Sequence, residues 1–319
     1  MNSALFNLNA AAARLATFSA AVQLGLLDAI DREPATATEL ASRCGANAKG
    51  VRLLLAALVA EEIVTELPGG RYQPTEPGMA SLHPVLPMWD HLTETVRTGV
   101  PAVDMDTPDT ATEMYPQVVT SLAAMWLEAA DRAAVILPPA SSILDVGAGA
   151  APWSIALARE NPESQVTALD LPAVLVSTRR AVSAAGLVGQ FTFLPANVFH
   201  DPLPECSYDL IVLGQFCHLF DAATCADLIS RLSQLLNPGG QLAIMDGVPG
   251  RPGAAVYELS LYLRTKEGAL HPLAEYERWL RDAGLTTKTP VDINAEPAIM
   301  LITGDNQNTP TGGNPHRTR

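Results

Sequence analysis

The chain has 319 residues, of which 48% are apolar and 17% are charged, as in a globular protein of one or two domains. Its 20 basic and 34 acidic residues give a net charge of −14, which disfavours nucleic acid as a main partner. No run of about 18 apolar residues predicts a membrane span, and no basic, apolar leader predicts a signal peptide. The four cysteines lack CxxC or zinc spacing, which favours reduced thiols and a cytoplasmic protein.

Residues 1–98 are predicted to form a first domain of helices followed by a hairpin. Residues 10–27 are apolar on nearly every face, which predicts a helix buried all round. Thr36 or Thr38 is the predicted N-cap of a second helix and Asn47 that of a third. A Pro-Gly-Gly turn then separates two short strands, which completes the order of a winged helix.

A winged helix can bind DNA or can serve as a structural or dimerising module. The helix that would read bases offers Lys49 and Arg52, and its other side chains are mainly Leu, Ala and Val. Base readout needs polar side chains at the base edges. The sequence therefore favours dimerisation, and we predict a homodimer because one small domain cannot cover the apolar residues of 10–27.

Residues 99–140 are predicted to be a helical connector that supplies one wall of a binding pocket. Segments 83–98 and 114–137 have amphipathic spacing. Between them lies a polar, proline-broken loop of the kind that often covers a binding site.

From residue 141 to 304 strands and helices alternate, which predicts an α/β, Rossmann-like, doubly wound parallel sheet. Five strands are expected, and Pro-Gly-Gly at 238–240 is interpreted as the stop of the helix before the fifth. A last helix and an antiparallel hairpin close this domain. Residues 305–319 have the composition of a disordered tail.

The clearest chemical motif is the glycine-rich turn after the first of these strands. Gly147 and Gly149 allow a ligand to approach the backbone, and Asp170 ends the second strand, where a carboxylate can accept both ribose hydroxyls. Pro152 stands where a dinucleotide fingerprint needs its third glycine, and it removes an N–H donor from the phosphate site. NAD and FAD are therefore disfavoured as cofactors. ATP is disfavoured because the sequence has no GxxxxGK motif. S-adenosylmethionine, a nucleoside without phosphates, fits better.

An ordered set of segments carries a family resemblance: LDVGAGAAP, ALDLPAVL, GQFCHLF and LNPGGQLAIMD, after the N-terminal helices and hairpin. Over residues 10–303 the chain resembles the dimeric, small-molecule type of class I S-adenosylmethionine-dependent O-methyltransferases of secondary metabolism. The resemblance implies that the first domain dimerises and does not bind DNA.

The resemblance also implies which residues bind the cofactor. Gly147 and Gly149 would contact its methionine part, Asp170 its ribose, and Leu171 its adenine. Asn197, where the family usually has Asp, and Val198 would flank the adenine amino group. Asp145 and Gly214 complete the predicted set. Ala151 replaces a third glycine of the family turn.

His218 lies where the family has its catalytic base, which removes a proton as a hydroxyl attacks the sulfonium methyl. The family often has Asp directly after this His, but here it is Leu219, so the partner carboxylate is expected to be Asp246. His271 lies where the family often has a second acidic partner, and we predict that it contacts the acceptor or the base. No metal site is predicted. The predicted acceptor wall includes Met125, Trp126, Phe216 and Tyr262.

Two other functions stay open on the sequence. Leu219 and Ala151 also fit a non-methylating enzyme that uses S-adenosylmethionine for cyclisation, rearrangement or hydroxylation. Transfer to carbon or nitrogen, which needs a base less, is an alternative to O-methylation. A ligand-sensing DNA-binding regulator is disfavoured by the acidic first domain.

Overall fold

The computed structural model describes residues 4–75, 86–106, 108–293 and 298–307. The chain forms two compact units, Met1–Asp90 and His91–Arg319. The sequence placed its first boundary at residue 98 and a second at residue 140, and this division into three parts stays a prediction.

The described part of the first unit contains four α-helices and a small antiparallel sheet. Its elements are α1 (Ala4–Gln23), α2 (Leu26–Arg32), β1 (Ala35–Thr36), α3 (Ala37–Arg43), α4 (Ala48–Ala60), β2 (Val64–Leu67) and β3 (Arg71–Pro74). The strand order is β1-β3-β2. Two helix starts lie at predicted N-caps: the Thr36 side chain accepts from the backbone of Glu39, and that of Asn47 from the backbone of Gly50.

The prediction of one buried helix over 10–27 was wrong in two respects. The helix ends at Gln23, because Gly25 takes a left-handed backbone conformation with φ of 65° and a new helix starts at Leu26. Along α1 only Phe18 and Ala21 are buried, whereas Leu8 is 67% exposed in the single chain. In the described residues no single helix meets the length and hydropathy of a membrane span, although α1 and α2, bent by 63°, meet them as a pair.

The second unit is built on a large sheet flanked by helices. Its described strands are β4 (Ser142–Val146), β5 (Gln165–Asp170), β6 (Phe191–Pro195), β7 (Tyr208–Gly214), β8 (Leu236–Gly247), β9 (Thr286–Thr287), β10 (Val291–Asp292) and β11 (Ile299–Asp305). The order is β10-β11-β8-β7-β4-β5-β6, with β9 also paired to β11. Strands β4 to β8 are parallel and β11 is antiparallel to β8, so the Rossmann-like prediction with its closing hairpin is confirmed.

The helices differ from the prediction in four places. The α-helices of this unit are α5 (Leu92–Thr98), α6 (Pro108–Ile136), α7 (Pro152–Glu160), α8 (Leu175–Ala184), α9 (Ala222–Ser233), α10 (Ala254–Tyr262) and α11 (Leu273–Asp282). The segment predicted over 83–98 is a 3-10 helix at Leu86–His91 followed by an α-helix from Leu92, and residues 83–85 lie outside the described residues. Helix α6 starts within the predicted loop. Helix α9 ends at Ser233, and the predicted Pro-Gly-Gly stop lies inside β8. Helix α10 was not predicted.

The predicted tail starts too early. Asp305 is the last residue of β11, and the Asn306 backbone N–H donates to Gly240 at 2.8 Å with its side chain buried. Residues 308–319 lie outside the described part of the chain. Strand order reverses around β4, between β5 and β7, and parallel sheets bind ligands at the carboxyl ends of the strands at such a point.

Candidate active site

A cavity of about 430 Å³ lies at the carboxyl ends of β4, β5 and β7. It is formed within the second unit. Its lining includes eleven of the predicted site residues: Gly147, Gly149, Asp170, Leu171, Asn197, Val198, Gly214, His218, Met125, Trp126 and Phe216. The structure therefore brings most of the predicted cofactor, base and acceptor residues to one cavity.

The glycine-rich turn after β4 needs its glycines. Gly147 has φ of 67°, and a Cβ at this position would lie 2.3 Å from the Phe216 ring. Gly149 has φ of 57°, and its N–H donates to the Asp170 carboxylate at 2.8 Å. Ala151, where the family has a third glycine, takes a similar left-handed conformation at the start of α7, which costs alanine more than glycine. The turn thus leaves bare backbone along the cavity.

Asp170 presents its carboxylate at the end of β5. Its two oxygens accept from the backbone N–H groups of Gly149, at 2.8 Å, and Leu171, at 2.7 Å. Burial raises the pKa of this carboxyl to about 6, although the two hydrogen bonds act in the opposite direction. A carboxylate has about four acceptor positions, so two stay available for hydroxyl donors.

Asp145 does not line the cavity, which corrects its predicted place among the cofactor residues. Its side chain is 1% exposed and accepts a hydrogen bond from the Ser154 hydroxyl in α7. Burial raises the pKa of this carboxyl to about 7, against the lowering effect of Ser154. Asp145 therefore supports the turn from beneath by joining β4 to α7.

Gly214 lines the cavity and also leaves room for the Trp153 ring to pack against it. A Cβ at this position would lie 2.2 Å from the Trp153 ring. Trp153 is buried and also lines the cavity. Any larger side chain at 214 would therefore displace the indole.

His218 forms the polar centre of the cavity. It lies in the short 3-10 helix Cys217–Leu219 and is 3% exposed. Its ring Nδ1 is 2.7 Å from Oδ1 of Asp246, and its backbone N–H donates to Oδ2 of the same carboxylate at 3.1 Å. Asp246 is fully buried near the end of β8 and also accepts from the Gly247 N–H. A carboxylate only accepts, so the geometry assigns a ring proton to Nδ1, and in the neutral imidazole the lone pair is then on Nε2.

The other ring nitrogen of His218 faces residues that the sequence analysis missed. The Tyr257 hydroxyl lies 3.0 Å from His218 Nε2 and 3.1 Å from Gln215 Oε1. Gln215 is held in place because its backbone N–H and its side-chain amide both donate to the Met245 carbonyl. Its φ of 56° is a second signal of constraint at this position. Tyr257 lies in the unpredicted α10, and no local motif marks it.

His271 is not brought to the cavity, which corrects its predicted contact with acceptor or base. It is 6% exposed and packs against the rings of Tyr276 and Trp279. Its Nε2 lies 2.9 Å from the Phe220 carbonyl. The residue therefore belongs to the core beneath the loop that carries Phe220.

Three of the four residues predicted for the acceptor wall line the cavity, and Tyr262 does not. Phe216 packs with Phe199 and Phe220, with ring centroids 6.3 and 5.0 Å apart, and all three line the cavity. Tyr262 is 39% exposed at the end of α10 and is not among the lining residues, which corrects its place. The sequence analysis missed Tyr115 and Arg264, which line the cavity.

Comparisons with known proteins identify the family of the chain. Residues 93–286 match the O-methyltransferase domain family, and residues 7–83 match the O-methyltransferase dimerisation domain. A 3-hydroxy-5-methyl-1-naphthoate 3-O-methyltransferase from Streptomyces sahachiroi is 29% identical, with 90% of each chain covered. The tetracenomycin polyketide synthesis 8-O-methyl transferase from Streptomyces glaucescens is 27% identical over 88% of this chain and 90% of its own.

A solved structure shares the fold. Human N-acetylserotonin methyltransferase, crystallised with S-adenosylmethionine, aligns with a TM-score of 0.75 and 22% identity over 96% of this chain and 99% of its own. The resemblance drawn from the sequence motifs is confirmed by these matches. The chain belongs to the O-methyltransferase family and is an S-adenosylmethionine-dependent enzyme.

Proposed function

We propose that this enzyme methylates a hydroxyl group on a small aromatic secondary metabolite, with His218 as the general base. The observation that carries the proposal is the buried Asp246–His218 pair, whose Nε2 faces a cavity that also contains the glycine-rich turn and Asp170. One relative described above is named for 3-O-methylation of a hydroxynaphthoate, and the other for 8-O-methylation in tetracenomycin polyketide synthesis.

The residues of the turn and of β5 fit the cofactor. Asp170 would accept the ribose hydroxyls, and the bare backbone at Gly147 and Gly149 would adjoin the methionine part. Leu171, Asn197 and Val198 line the cavity near Asp170 and would hold the adenine. When bound, S-adenosylmethionine supplies a methyl group already activated by its sulfonium. The protein's remaining tasks are alignment and removal of the hydroxyl proton.

The proton transfer follows from the hydrogen bonds of His218. S-adenosylmethionine, held by the turn and by Asp170, would supply the methyl group to the acceptor oxygen and leave as the neutral thioether, while the hydroxyl proton would move to His218 Nε2. Asp246 stabilises the imidazolium that forms, because its carboxylate faces Nδ1 at 2.7 Å. This is the arrangement of a base oriented by a buried acid.

The hydrogen bond of the Tyr257 hydroxyl is proposed to change direction with the protonation of His218 Nε2. Before the reaction its hydroxyl can donate to the lone pair on Nε2. When the acceptor hydroxyl takes that lone pair, the Tyr257 hydroxyl can turn to donate to Gln215 Oε1, at 3.1 Å, and after the transfer its oxygen can accept from the protonated His218. The acceptor hydroxyl must approach Nε2 beside Tyr257, so this side chain would position it.

The enzyme is proposed to act as a cytoplasmic homodimer, with neither nucleic acid nor membrane as a partner. Residues 7–83 match a dimerisation domain, and α1 exposes large apolar side chains, among them Leu5 at 78% and Leu8 at 67%. Such a patch on a small unit is typical of an interface between protein chains. The four cysteines are free thiols.

The test is methyl transfer to hydroxylated naphthoates and related phenols, followed through release of the demethylated cofactor. His218→Ala should lower kcat by about 10²–10⁴-fold and leave the affinity for S-adenosylhomocysteine unchanged. His271→Ala, at a buried histidine away from the cavity, is the matched control for losses caused by folding. A His218 variant within about fivefold of the wild type would reject the general base. Cofactor binding without product release would favour the non-methylating alternative.

A further inference from the structure

We infer that Arg264 forms an anion-binding subsite in the acceptor cavity, and that the acceptor is an aromatic hydroxy acid whose carboxylate binds there. This inference rests on the proposed O-methylation and names the substrate class. Arg264 follows α10, lines the cavity, and has a fixed backbone. Its N–H donates to the Leu261 carbonyl at 2.8 Å, and its own carbonyl accepts from the Met105 N–H at 2.9 Å.

In the described chain the charge of Arg264 is not part of an ion pair, although four acids, Asp106, Asp170, Asp221 and Glu267, line the same cavity. Among the described residues that line the cavity, it is the only Lys or Arg. Its Nε atom is buried without a hydrogen-bond partner, and no ion pair joins it to an acid within the described chain. A buried donor of a charged group that stays unsatisfied costs free energy. A bound oxyanion would satisfy it, and the guanidinium fork suits a carboxylate.

The position of Arg264 links this subsite to the reacting centre. Burial raises the pKa of Tyr115, to about 12, and that of Tyr257, and the positive charge of Arg264 acts on both in the opposite direction. Tyr257 in turn contacts His218 Nε2 through its hydroxyl, at 3.0 Å. One compact aromatic ring system can therefore place a hydroxyl at His218 and a carboxylate at Arg264.

Two bound molecules could supply a carboxylate: the acceptor and the methionine part of the cofactor. We assign it to the acceptor because the charge of Arg264 acts on the Tyr257 hydroxyl, which contacts the base His218. The methionine part of the cofactor is expected instead at the turn that contains Gly147 and Gly149. The aromatic rings of Phe199, Phe216 and Phe220 provide the apolar surface for such a ring system.

The experiment measures binding to the full-length enzyme saturated with S-adenosylhomocysteine. Calorimetry compares 3-hydroxy-1-naphthoate with its methyl ester, which keeps the ring and hydroxyl but removes the charge. The wild type should prefer the acid by about 10- to 100-fold, as expected for charge-assisted hydrogen bonds. Arg264→Met should reduce this preference to within about threefold, and Arg264→Lys should retain part of it. Arg281→Met, at an exposed arginine of α11, is the control and should behave as the wild type.

Three results would overturn the assignment. An Arg264→Met enzyme that still prefers the acid tenfold would show that the carboxylate binds elsewhere. A variant that loses affinity for S-adenosylhomocysteine, with an unchanged preference for the acid, would assign Arg264 to the cofactor. A wild type that binds acid and ester equally would reject the hydroxy-acid class, even if both are methylated at His218, so this failure is distinct from failure of O-methylation. The melting temperature of each variant monitors folding.

Discussion

The carboxyl of Asp170 should make cofactor affinity fall at low pH, and the substitution Asp170→Asn should remove this dependence. Burial raises its pKa to about 6 in the protein, against the effect of the Gly149 and Leu171 N–H groups. The ionised form accepts hydroxyl donors, so ligand binding favours ionisation. Affinity is therefore full above pH 6 and is lost as the pH falls through that value. Between pH 7 and pH 5 the ionised fraction falls about tenfold, and the affinity should fall by the same factor.

Asp170→Asn should remove both the pH dependence and part of the affinity. The amide has one oxygen in place of two, so its NH₂ group must face either the Gly149 or the Leu171 N–H, both of which now donate to the carboxylate. Loss of hydrogen bonds to a charged group, at about 1.5–3 kcal/mol, corresponds to about 10- to 150-fold weaker binding at pH 7.

Calorimetry with S-adenosylhomocysteine from pH 5 to 8 measures both effects. Asp145, whose buried carboxyl has a pKa raised to about 7, titrates in the same range but does not line the cavity. Any pH dependence that survives in Asp170→Asn would belong to Asp145 or another group. A variant with wild-type affinity, or one with the full tenfold dependence, would refute the ribose assignment.

Two further predictions concern the base and the dimer. Asp246→Asn should lower kcat by about 10- to 100-fold because the negative charge beside the His218 imidazolium is lost, with S-adenosylhomocysteine affinity by calorimetry as the control; a rate within twofold would contradict this role. The double variant Leu5→Asp, Leu8→Asp should be monomeric by light scattering at micromolar concentration, whereas Val188→Asp, at a 55% exposed site in the second unit, should stay dimeric. A dimeric double variant would exclude α1 from the interface.

The parts that could be predicted from the sequence depend on short-range signals. Alternation of apolar strands with helices specifies the parallel sheet, and its topology sends all carboxyl ends to one edge. Asp246 could thus be predicted as the partner of His218, 28 residues away, because β7 and β8 end side by side. The Asp170 position follows from the same argument.

The rest depends on packing that no local pattern encodes. Tyr257 and Arg264 reach the cavity through α10, whose residues are apolar enough to be read as core and have no motif. His271 has the right place in the chain, but the rings of Tyr276 and Trp279 hold it in the core. The break at Gly25 is a single left-handed residue inside an apolar run, which hydrophobic periodicity alone does not reveal.

The position of β11 has a consequence for how the protein reaches its folded state. This strand pairs with β8 along seven residues and lies between β8 and β10, inside the sheet. Until it has been synthesised, a growing chain exposes the apolar edge of β8, whose residues from Gly240 onward are buried in the finished sheet. An unpaired apolar edge recruits other strands. We therefore expect nascent or C-terminally truncated chains that stop before Ile299 to need chaperone protection and to aggregate without it.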